Sequence, residues 1–90
     1  MKRIHKYQIP LEYLTVLTGG FLRVLCVQMQ NDTICIWAEV SDEAPVRELQ
    51  INLVGTGQEL SYFIGDYLGT VQRDSYVWHV YYKICNGQAL

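Results

Sequence analysis

Six polar or glycine positions in the C-terminal half have the types that could grip a small anion. The segments Val54-Gly55-Thr56-Gly57-Gln58 and Leu68-Gly69-Thr70-Val71-Gln72 share the order apolar, Gly, Thr, any residue, Gln, and the second copy begins 14 residues after the first. Glycines at a strand end let backbone N–H groups approach an oxyanion, and threonine adds a hydroxyl donor. Gly55, Thr56 and Gly57 could thus cradle a phosphate, with Thr70, Gln72 and His79 as further polar contacts. A bend is the competing role: a lone strand glycine commonly marks a bulge where a small sheet must curve, and that role has first claim. Neither GxxxxGKS/T nor GxGxxG is present, so the ordinary nucleotide-hydrolysing and dinucleotide loops are excluded.

Catalysis asks for a nucleophile beside a base, or for two carboxylates in different environments. His79 lies among aromatic residues, where a packed or hydrogen-bonded imidazole is the ordinary outcome, and His5 stands in a basic segment with no partner nearby in sequence. Cys26, Cys35 and Cys85 are odd in number and lack C-x-x-C spacing, so they read as buried thiols and not as a disulfide framework or zinc site. No motif implies a reaction; no catalytic residue, metal or cofactor is expected.

The aromatic residues are the strongest positive feature. Trp37, Tyr76, Trp78, Tyr81 and Tyr82 belong to a chain with seven tyrosines and two tryptophans. About half should serve the core. Those left outside give rigid, amphipathic area of the kind enriched in protein interfaces, and could equally stack on a nucleobase.

Ninety residues, half of them hydrophobic and 18% charged, suit one small domain over 1–85, with 86–90 as a flexible tail. One small core can leave apolar surface uncovered, so a homo-oligomer, dimer or larger, is expected. The net charge of −2 gives no field to hold nucleic acid, and the nine carboxylates are too scattered for a DNA mimic. Lys2, Arg3 and Lys6 read as a solvated terminal strand. No apolar run reaches the ~18 residues of a membrane span and the basic start lacks a signal-peptide core, so a cytoplasmic protein is expected.

These residues need strands to position them. Apolar residues recur mostly with period two between turn signals, which predicts six or seven antiparallel strands in a mainly β fold, a small barrel or sandwich joined by hairpins. The expected strands are 3–9, 13–17, 21–30, 33–40, 48–54, 67–73 and 76–84. Gly19-Gly20, Asn31-Asp32 and Asp74-Ser75 are the expected hairpin turns. Pairing Gln30 with Thr33 collects Leu25, Val27, Met29, Ile34, Ile36, Ala38 and Val40 on a core face, joined by Leu14 and Val16. Pairing Arg73 with Tyr76 puts Tyr67, Val71, Trp78, Val80 and Tyr82 on one face and Thr70, Gln72, His79 and Tyr81 on the other. Leu60, Phe63 and Ile64 sit at helical spacing, leaving room for one short helix or an irregular loop over 58–66.

Val27-Gln28 with Gln30, Cys35-Ile36-Trp37-Ala38 with Val40, Val54-Gly55-Thr56-Gly57, Leu68-Gly69-Thr70-Val71-Gln72 and Trp78-His79-Val80 together resemble a family of short uncharacterised proteins found mainly in bacteriophages and prophages. The family carries no function or site residues to transfer. In the family the stretch after Gly57 often holds a histidine and a proline-rich turn; here it reads Gln58-Glu59-Leu60-Ser61-Tyr62. The resemblance implies a phage accessory protein, working in the host cytoplasm, that antagonises bacterial immunity by binding. Sequestration of a nucleotide immune signal stands slightly ahead of direct inhibition of a host defence protein through an aromatic β face; a phage structural or housekeeping role is the third reading.

Overall fold

The computed structural model describes residues 1–86. Seven strands run in chain order: β1 (Lys2–Ile9), β2 (Leu14–Gly19), β3 (Phe21–Gln30), β4 (Thr33–Ser41), β5 (Arg47–Gly55), β6 (Asp66–Arg73) and β7 (Tyr76–Asn86). They form two antiparallel sheets, β1-β4-β3 and β2-β5-β7-β6, stacked as a sandwich and not closed into a barrel. Alternation decides the layers: every second residue of β4 and β5 is buried between the sheets, so Ile34, Ile36, Ala38 and Val40 share one core with Leu49, Ile51, Leu53 and Val80.

Two hairpins follow the expected register. Gln30 pairs with Thr33 and Arg73 with Tyr76. Asn31 and Asp32 both take positive φ, 49° and 63°, the geometry that a two-residue hairpin needs and that Asn and Asp tolerate.

Gly19-Gly20 does not make a hairpin. β2 pairs with β5 while β3 pairs with β4, so this glycine pair carries the chain from one sheet to the other. The Gly20 carbonyl accepts a 2.9 Å hydrogen bond from the Ser41 N–H, tacking the crossing onto the end of β4. Leu14 and Val16 consequently lie on the outer face of the four-stranded sheet, each 45% exposed, and Leu17 is the β2 side chain packed on the core. Of two register shifts in β3, between Phe21 and Arg23 and between Val24 and Cys26, the second buries Val24 and turns Leu25 away from the core. A bulge inserts one residue and so reverses the faces beyond it.

No helix occurs among the described residues. Residues 56–65 form a turn-rich loop, in which the Ser61 hydroxyl accepts from the Phe63 N–H and the Ser61 carbonyl from the Ile64 N–H. Serine competes with helix formation in this way. Asn86, expected in the tail, is the last residue of β7 and pairs with Arg47; the rest of the expected tail, 87–90, lies outside the described residues. Of the three cysteines, Cys35 is buried, whereas Cys26 and Cys85 are partly exposed.

Turning Leu14 and Val16 outward places Thr15 inward, and its buried Oγ1 has no hydrogen-bond partner. Thr15→Val is expected to raise Tm by several degrees in a thermal melt, because an orphaned buried hydroxyl costs about 1–3 kcal/mol and about 1 kcal/mol moves a domain of this size by roughly 4–8 °C. A lower Tm would mean that the hydroxyl is satisfied.

Candidate functional site

β5 and β6 run parallel on either side of β7, so the loop joining them must cross that strand. It leaves Gly55 beside Trp78 and enters Asp66 beside Tyr82. The crossing runs over the outer face of β7, where the Lys83 ammonium donates to the Phe63 carbonyl at 2.8 Å. Gly55, Thr56, Gly57, Gln58 and Leu60 thereby meet His79 and Tyr81 around an open concavity of about 270 Å³.

His79 is the centre of this site. Thr56 Oγ1 lies 2.8 Å from its Nε2 and Thr70 Oγ1 lies 3.0 Å from its Nδ1, so the two threonines of the sequence echo hold one imidazole from both sides. Thr70 is also hydrogen-bonded to the Tyr67 hydroxyl, extending the chain to four side chains. Hydroxyls both donate and accept, so this chain can be satisfied with the imidazole neutral or charged.

Gln72 lies on the same outer face, paired with Val77, and its amide donates to the Asp74 carbonyl instead of reaching the concavity. The glycines have structural employment. Gly55 to Gln58 is a closed turn: the Gln58 N–H donates to the Gly55 carbonyl and the Gly55 N–H to the Gln58 side chain, with Gly57 at φ 93° in the position that a type II turn reserves for glycine. At Gly69 a Cβ would stand 2.8 Å from Val27, so glycine lets β6 close against β3 across the sheet boundary. Gly55 therefore has no free N–H to offer a phosphate, and no lysine or arginine lines the concavity. The site as built offers hydroxyls, an imidazole and aromatic area.

A family model described as a domain of unknown function, DUF7352, matches residues 1–89. The chain belongs to the DUF7352 family. No curated protein and no solved structure matches it.

The aromatic residues of this DUF7352 domain divide between core and surface. Trp78 and Tyr82, expected as interface candidates, face inward and pack against the core, because register with β5 puts them opposite Gly55 and Ile51 on the inner row. Tyr76 is 65% exposed and stacks on Trp78 with ring centroids 6.3 Å apart. Trp37 lies on the outer face of the other sheet, in a shallow apolar concavity with Ile4, Leu25 and Cys26. Tyr81 stays on the His79 face. Tyr67 joins it there, against expectation, because a register shift between Tyr67 and Gly69 turns its ring onto Tyr81 with centroids 5.6 Å apart.

Sequence reasoning missed the residues that protrude furthest. Leu60 is 53% exposed, Phe63 79% and Tyr62 101%, all on the crossing loop. Helical spacing made Leu60 and Phe63 look like the buried side of a helix; the signal to the contrary was Ser61 between two glycines, Gly57 and Gly65, that both take positive φ.

Proposed function

We propose that this protein acts by binding and not by catalysis, and that its working surface is the outer face of the four-stranded sheet, used to cover a partner protein. The observation that carries the reading is the exposed apolar and aromatic set on this side of the molecule: Tyr67 against Tyr81, Leu60 at the concavity that Tyr81 also lines, and Tyr62 and Phe63 on the same crossing loop. Large side chains stranded in water together mark interaction surfaces, and tyrosine and phenylalanine are enriched where partners dock. The resemblance to short phage and prophage proteins supplies the setting: a phage accessory protein in the host cytoplasm whose partner is a bacterial defence protein.

Sequestration of a nucleotide immune signal is the second reading, favoured by the meeting of Thr56 and Thr70 on His79. These groups suit a base and a ribose. A phosphate would lack a cation at the concavity, which ranks this reading below the first.

Plating efficiency of phage on a host with active defence tests both. Expression of the wild-type chain should raise it, and a Tyr62→Ala/Phe63→Ala chain should lose the effect while Thr56→Val/His79→Leu keeps it. Loss only in the second pair would favour the small ligand. No effect from the wild-type chain across a panel of defence systems would sink the anti-defence setting for both.

A further inference from the structure

The sandwich has two unlike sides. On one, β3 and β6 come together at Val27 and Gly69. On the other, β1 and β2 are edge strands, paired with β4 and β5 on one side and with no strand on the other among the described residues. A free edge presents unpaired N–H and C=O groups and pairs with another strand unless something prevents it. β1 carries Lys2, Arg3 and Lys6, the kind of charged side chain that guards an edge. β2 reads Leu-Thr-Val-Leu-Thr-Gly, with no charge and no proline.

The hydrogen-bond phase of β2 tells which of its groups are free. The Leu53 N–H donates to the Tyr13 carbonyl, in step with the pairing of Leu14 with Asn52 and Thr15 with Ile51. In an antiparallel ladder, bonded pairs alternate with unbonded ones. Tyr13, Thr15 and Leu17 thus spend their backbone groups on β5, and Leu14, Val16 and Thr18 point theirs outward.

We propose that β2 pairs antiparallel with β2 of a second copy of this chain, about a two-fold axis at Val16. That axis sets Val16 opposite Val16, and Leu14 opposite Thr18 of the second copy, so the outward-pointing residues meet one another and each such pair exchanges two backbone bonds. It sets Tyr13 opposite Gly19 of the second copy, where an aromatic ring can cover an edge glycine. No charged side chain of one β2 meets a like charge on the other, whereas the β1 edge carries lysines and an arginine to whatever pairs with it. The exposed Leu14 and Val16 side chains gain apolar neighbours from the copy. The resulting sheet is continuous through both protomers and carries two copies of the Tyr62–Phe63 surface on one face. This pairing does not depend on what that face binds.

Light scattering during gel filtration at micromolar concentration tests it, with far-UV circular dichroism as the check on folding. Wild type should elute as a dimer, and Val16→Lys, which adds charge at an exposed position, should be a folded monomer; Thr18→Lys is the second variant if the first fails to fold. Ile4→Lys, on β1, should stay dimeric. Hydrogen exchange at the Leu14, Val16 and Thr18 amides should be slow in wild type and at least tenfold faster in the monomeric variant. A monomeric wild type, a dimer that survives both β2 lysines, or a dimer that only Ile4→Lys dissolves overturns the proposal.

Discussion

Ile36→Ala should lower Tm by roughly 10 °C or more, a large stability effect for one truncation in a fold of this size. Ile36 is 0% exposed, paired with Tyr7 on one side and Val27 on the other, and shares its core cluster with Leu49, Ile51 and Val80 of the opposite sheet. Neighbours held in ladders on both sides cannot collapse into the space left behind, so a loss of about 2–5 kcal/mol applies. A chain of 90 residues has roughly 5–13 kcal/mol in all, so a loss at the upper end would leave a chain at the lower end of that range partly unfolded at room temperature. Val16→Ala is the informative companion. Alternating patterns put both residues in the core, but Val16 is 45% exposed in the single chain and its truncation should cost the protomer fold less than about 1 kcal/mol. Equal losses at the two positions in a denaturant titration would contradict the arrangement of β2.

The contrast between these two residues shows what a one-dimensional pattern can carry. The Asn31-Asp32 and Asp74-Ser75 turns fix the register of the strands on either side, and from there period two assigns faces to β4 and β7 correctly. The pattern fails wherever the chain inserts a residue or changes sheet. The register shift between Val24 and Cys26 in β3 expelled Leu25, one in β6 moved Tyr67, and the crossing at Gly19-Gly20 reversed the roles of Leu14 and Val16. Each is decided by contacts between distant segments, such as Ser41 on Gly20, that local propensity does not encode. The site followed the same rule. Thr70 and His79 were legible as neighbours because they share a hairpin face, and the echo between the Gly-Thr segments suggested that Thr56 belonged with them. Gln72 shares that face and still misses the concavity, because a side chain two residues along a strand stands about 7 Å away and here bonds its own turn. The protruding loop aromatics were invisible for want of any periodic signal.

Those aromatics carry the other large expected effect. Against a purified protein partner, Phe63→Ala or Tyr62→Ala should each weaken binding by roughly 30-fold or more, the equivalent of about 2 kcal/mol for a central interface residue. Tm should not move. Tyr62 is 101% exposed and Phe63 79%, so the two rings contribute little burial to the folded monomer, and truncation removes mainly what a partner would cover. The loop that presents them is held independently of the rings, by buried Ile64 and by Lys83 on the Phe63 carbonyl, so its path should survive either change. His79→Leu provides the opposing case. It strips Thr56 and Thr70 of their shared partner, but both hydroxyls are exposed and water can replace the imidazole, so stability should change by less than about 1 kcal/mol. If the partner is a protein gripped by the aromatic rings, affinity measured by calorimetry should fall far more with Phe63→Ala than with His79→Leu. A small ligand seated among the hydroxyls would invert that order, since its contacts run through His79 and Tyr81 and the two loop rings stand clear of the concavity.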